Sequence, residues 1–160
     1  MYTIDGIELT QSSNVKVIQV SAKRILIIDD SASMRSALRG LIENDRFTVC
    51  GEAEDGLKGI EKAKETSPDL ILLDFSMPKM NGAEAAFILK KLSPNVPIIL
   101  FTTHDQAVGQ ALAASSSVDR VLPKPASITQ LLDCMSSLLP LTPLAICAVS
   151  GMLSWFAGSF

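Results

Sequence analysis

Leu70–Gly82 reads LILLDFSMPKMNG, so four aliphatic residues run directly into an aspartate, Asp74. An unbroken apolar run of that length fits a strand buried on both faces of a sheet. An ionised side chain inside such a sheet is costly unless it is paired or bound to a cation, and the cost falls at the sheet's open edge. The residues after Asp74 read as loop, because Pro78 cannot continue a ladder and Asn81-Gly82 supplies turn chemistry before the next helical pattern. Asp74 is therefore expected at the carboxyl edge of a strand.

Outward from this stretch, β-rich apolar runs recur roughly every 25 residues: RILII from Arg24, FTVCGEA from Phe47, LILL from Leu70, PIILF from Pro97 and RVL from Arg120. Between them apolar residues fall at helical spacing. Met34, Leu38, Leu41 and Ile42 form one such set; Ala85, Ile88, Leu89 and Leu92 a second; Val108, Ala111 and Leu112 a third. The last set is Ile128, Leu131, Leu132, Met135, Leu138 and Leu139, opened by a capping-box pair, Ser127 and Gln130, and closed by Pro140. Five alternations of strand and helix predict an α/β fold: a doubly wound, five-stranded parallel sheet with helices on both faces. Such sheets bind ligands at the carboxyl ends of their strands.

A chain of 160 residues fits one globular domain with appendages. The expected division is an N-terminal arm over 1–22, the α/β domain over 23–139 and an apolar tail over 140–160. The formal charge is −3 with acids and bases interspersed, so no basic stripe for nucleic acid is visible. Cys50, Cys134 and Cys147 are odd in number and set in apolar sequence, which fits reduced thiols and a cytoplasmic setting. The first 22 residues lack the basic and continuous apolar regions of a secretory signal.

In a parallel sheet the strand ends share one edge. The first strand ends in Asp29-Asp30, the third in Asp74 and the fourth in Thr102-Thr103, while Lys124 follows the fifth in LPKP. Three carboxylates in one pocket repel each other unless a hard divalent cation neutralises them, and Mg²⁺ is the natural candidate. A lysine and a hydroxyl beside that set suit a transferring phosphoryl group, where positioning and charge neutralisation dominate.

Taken together, DDSASMR, DFSMPKMNG, FTTHD and LPKP make Lys23–Leu139 resemble the receiver domain of two-component response regulators, of the chemotaxis-regulator kind. The resemblance implies the flavodoxin-like strand order 2-1-3-4-5. It makes Asp74 the phosphoacceptor, charged by a histidine kinase or phosphotransfer protein. Asp29, Asp30, Asp74 and the backbone carbonyl of Ser76 would hold Mg²⁺; Lys124 and Thr102 would bind the phosphoryl oxygens, with Thr102 moving on activation. Phosphorylation would then bias a protein-binding surface of the fourth helix, fifth strand and fifth helix, which is also a candidate homodimer face. The family implies a phosphoacceptor with self-catalysed transfer and slow dephosphorylation, not an enzyme. With no effector region visible, the expected output is a protein contact or onward phosphotransfer.

The sequence departs from the family at Val121, where a Tyr or Phe is usual three residues before the lysine, so aromatic gating is not expected. AASSSVD stands where Gly-Ala is frequent before the fifth strand. Ser76 and His104 occupy the positions that tune the phosphate's lifetime in the family; for His104 an ordinary surface histidine at a helix start is the competing reading. A dehalogenase-like phosphatase would want an acid where Ser76 stands, and a flavin carrier would want a phosphate cradle where Asp29 and Asp30 stand. The alternative function is a phosphorylation-independent receiver-fold interaction module.

At the N-terminus, Asp5-Gly6 and VKVIQV hint at a hairpin, yet an irregular arm is the expected form because a lone hairpin is marginal. At the other end, Leu144–Phe160 is 17 residues without a charge, at the short limit of a membrane span. Three readings stay open there: a membrane anchor, a helix docked on the domain or on a dimer partner, and an atypical or truncated end.

Overall fold

The computed structural model describes residues 2–4, 7–12, 15–102, 117–124 and 127–139. The third helical set, His104 and the apolar tail therefore lie outside the described residues.

Ala22–Leu139 forms one compact unit. Its strands are β4 (Lys23–Ile28), β5 (Phe47–Ala53), β6 (Leu70–Asp74), β7 (Ile98–Thr102) and β8 (Arg120–Pro123). Its described helices are α1 (Ala32–Ile42), α2 (Gly56–Thr66), α3 (Gly82–Leu92) and α4 (Ile128–Leu138), the last matching the closing apolar set of the sequence. The sheet runs β5-β4-β6-β7-β8 with every neighbour parallel, the order 2-1-3-4-5 expected from the resemblance.

Strand periodicity divides the core in two. Leu26, Ile28, Ile71, Leu73 and Leu100 pack with Ile60 and Ala63 of α2 and Ala85 and Leu89 of α3. The intervening Ile25, Ile27, Leu70, Leu72, Ile99 and Phe101 pack with Leu38 and Ile42 of α1 and Leu131 and Met135 of α4. All five residues of β6 are buried, which is why that strand reads as an unbroken apolar run. The buried stripes are narrower than the apolar patterns: Met34, Leu41, Leu92 and Ile128 are exposed, because an 11-residue helix on a sheet covers little more than one face.

The caps follow the local sequence. Ser31 caps α1 by accepting from the Met34 N–H at 3.3 Å, and both α3 and α4 open with complete capping boxes, Asn81 with Glu84 and Ser127 with Gln130. Gly82 is needed at the start of α3 because a Cβ there would lie 2.3 Å from the Asp74 carbonyl oxygen.

The N-terminal segment corrects the expectation of an irregular arm. It is a three-stranded antiparallel sheet, β1 (Tyr2–Ile4), β2 (Ile7–Ser12) and β3 (Val15–Val20), in that spatial order. A two-stranded hairpin pairs each strand along one edge only. Here β2 pairs with β1 from Tyr2↔Leu9 to Ile4↔Ile7 and with β3 over all six residues, so both of its edges are used. Among the described residues no helix is long and apolar enough to cross a membrane.

Candidate functional site

The winding of the sheet reverses between β4 and β6, since their crossover helices pack on opposite faces. Crevices in doubly wound sheets form at that switch point, beyond the carboxyl ends. Asp29 and Asp30 follow β4 and Asp74 ends β6, so the topology delivers all three acids to this crevice. One carboxylate oxygen from each lies within 4.8 Å of the others. Asp29 and Asp74 are buried and Asp30 is exposed.

Lys124 enters from beyond β8, with its Nζ 2.9 Å from Asp29 Oδ2 and 2.7 Å from Asp74 Oδ1. Its N–H donates to the Thr102 carbonyl at 2.8 Å, which fixes the lysine's backbone beside the end of β7. Thr102 is buried at that strand end, and the Asp74↔Phe101 register sets it one residue beyond the level of Asp74. Ser76 is exposed in the loop that follows Asp74. Thus Asp29, Asp30, Asp74 and Lys124 come together, Thr102 shares their edge, and His104 falls outside the described residues.

Burial pushes the Asp74 carboxyl above its usual range; the Lys124 ammonium opposes this, while Asp29 and Asp30 add to it. For Lys124 burial alone would lower the pKa, but hydrogen bonds to Asp29 and Asp74 outweigh it and hold the ammonium above its usual range. Three carboxyl groups against one ammonium leave a formal surplus of two negative charges. A hard donor set of carboxylate oxygens with that surplus fits a small divalent cation such as Mg²⁺.

Supporting contacts were not legible from the motifs. Arg35 donates to the Asp29 carbonyl oxygen at 2.7 Å and pairs with Glu52 at 3.3 Å, while Arg39 meets the same Glu52 at 2.7 Å. Asp29 Oδ1 also accepts the Ser31 N–H at 2.9 Å, so one carboxylate serves both the crevice and the turn into α1. Asp55 caps α2 and takes the Lys79 ammonium at 2.7 Å. Asp55-Gly56 ahead of a helical pattern is a cap signature, but the partner Lys79 is 24 residues away and nothing local announces the pair.

The sequence profile described as the response regulator receiver domain matches residues 25–136. The chain belongs to the response-regulator receiver family. The receiver is 33% identical over 114 residues to the chemotaxis protein CheY of Thermotoga maritima, covering 71% of this chain and 95% of that protein. It is 38% identical over 107 residues to the protein-glutamate methylesterase/protein-glutamine glutaminase of Pyrococcus abyssi, covering 65% of this chain but only 29% of that relative's length. Among solved structures, the response regulator domain of Thermotoga maritima CheB aligns with a TM-score of 0.68 at 31% identity, covering 76% of this chain and 99% of that one. The receiver thus resembles chemotaxis regulators in sequence and in fold.

In the receiver, Val121 is half-buried and packs against the core that holds α2 and α3, filling the space beside Leu100, its register partner on β7.

Proposed function

We propose that the receiver is the phosphoacceptor of a two-component phosphorelay, and that Asp74 takes a phosphoryl group from a histidine kinase or phosphotransfer protein. The observation that carries this is Lys124 bridging Asp29 and Asp74 beside the exposed Asp30: a nucleophile, an acid pair and a cation in one crevice. A carboxylate oxygen of Asp74 attacks the phosphorus of phosphohistidine in line. The O–P bond forms as the P–N bond breaks, and the electron pair stays on the leaving imidazole nitrogen. No general base is required. Lys124 then pairs with the phosphoryl oxygens, and Thr102 donates its hydroxyl to one of them. Asp29, Asp30, Asp74 and the Ser76 carbonyl would hold Mg²⁺. Bound there, the ion would neutralise charge on the transferring oxygens. Ser76 and His104 set how long the acyl phosphate survives.

The acyl phosphate carries up to about two negative charges. Drawing Thr102 towards it shifts a two-state surface that includes β8 and α4, which binds an output protein or a second copy of the receiver. Val121 offers no large ring to swing, so the signal passes through Thr102 and the backbone joining it to Lys124. The receiver acts as a signalling carrier and not on a separate substrate, in a reducing cytoplasmic setting consistent with the free Cys50 and Cys134.

Intact mass of the full chain, after incubation with a small phosphodonor, tests the metal requirement. One added phosphoryl group is expected with Mg²⁺ and almost none with excess chelator. Equal labelling in both would remove the metal from the mechanism, and no labelling in either would favour the interaction-module alternative.

A further inference from the structure

The loop that carries Ser76 is held from outside the crevice by one ion pair. Lys79 Nζ lies 2.7 Å from Asp55 Oδ2, while Asp55 Oδ1 accepts the Lys58 N–H at 2.9 Å in the cap of α2. Asp55 is 1% exposed, so each oxygen of its carboxylate needs a partner, and the pair differs from an ordinary surface ion pair in that respect. Lys79 also adopts φ 67°, a left-handed conformation that a lysine takes rarely and keeps only where its surroundings hold it. Neighbouring contacts agree: Met77 is buried, and Met80 stands close enough to Gly56 that a Cβ there would meet its Cγ at 3.0 Å.

We propose that Lys79 is a positioning residue which, through Asp55 at the start of α2, fixes the Phe75–Asn81 loop so that the Ser76 carbonyl faces the acid pocket. This rests on the metal role given to that pocket above. A partner one shell removed from a ligand changes metal affinity by roughly 10–100-fold, and a tether that is half in solvent belongs at the lower end. Asp55 is a fixed anchor because its side chain already caps α2, against which α3 also packs. An asparagine at position 55 keeps the cap and loses the charge, and a glycine at position 79 removes the strain and the tether together.

The test is calorimetric titration of Mg²⁺ into the full chain, with backbone amide exchange at Phe75 and Gly82 measured without metal. Lys79→Met, Asp55→Asn and Lys79→Gly should each raise the Kd about tenfold and speed exchange at both amides. The Lys79→Met/Asp55→Asn double variant should lose no more than either single one, and Lys79→Arg should stay within about twofold of the wild type. Additive losses in the double variant, or a wild-type Kd in Lys79→Gly, would overturn the tether while leaving the acceptor intact. A wild-type protein that binds no Mg²⁺ would overturn the acceptor mechanism and this proposal with it.

Discussion

Asp74 stands at the end of a strand whose every residue is buried, where burial raises its pKa and Lys124 offsets that only in part. Without metal, the exposed Asp30 contributes mainly repulsion to Asp29 and Asp74. Asp30→Asn is therefore expected to raise the melting temperature in chelator and to abolish the further rise that Mg²⁺ gives the wild type, measured by paired thermal melts. Asp55 contributes a pH dependence in the acid range. The Lys58 N–H and the Lys79 ammonium hold its carboxyl below the ordinary 3.8, so its stabilising effect is present above that value and lost as pH falls through the lower folded one. Melts across the acid range should show the advantage of wild type over Asp55→Ala intact at neutral pH and shrinking below about pH 4. Asp29, Asp30, Asp74 and Lys124 were legible because each follows a recognisable strand. Arg35, Asp55 and Lys79 were not, since an ion pair across 24 residues leaves no periodic trace.

Elements were legible where pattern and punctuation agree. The five apolar runs became β4–β8 within a residue or two, and Ser127 with Gln130 formed the expected capping box. The misses arise from tertiary geometry: Met34 and Leu92 fit a helix stripe but project past the sheet. At the β6–α3 junction Gly82 lets the helix begin against the strand that carries Asp74. Gly82→Ala should destabilise the fold by about 1–3 kcal/mol in urea unfolding, because the added methyl meets backbone instead of a side chain that can turn away. Deep in the sheet, Leu72→Ala should cost about 2–5 kcal/mol, since the strand is covered on both faces and cannot collapse around the gap.

For the whole molecule, the alternation of strand and helix predicts the doubly wound sheet, and the crevice follows from where its winding reverses. The N-terminal sheet was missed because a lone hairpin is marginal, and nothing in the short β1 stretch announces that it pairs with the second edge of β2. Ala22–Leu139 holds both core clusters. A protein of residues 22–139 is accordingly expected to unfold in one cooperative transition; a broad, non-cooperative melt would show that the flanking segments complete the fold. The central claim, that Asp74 takes the phosphoryl group, is tested most directly by intact mass of wild type and Asp74→Asn after the same incubation with Mg²⁺ and a small phosphodonor. One phosphoryl group on the wild type and none on the variant is the expected result, and equal labelling of the two would contradict it.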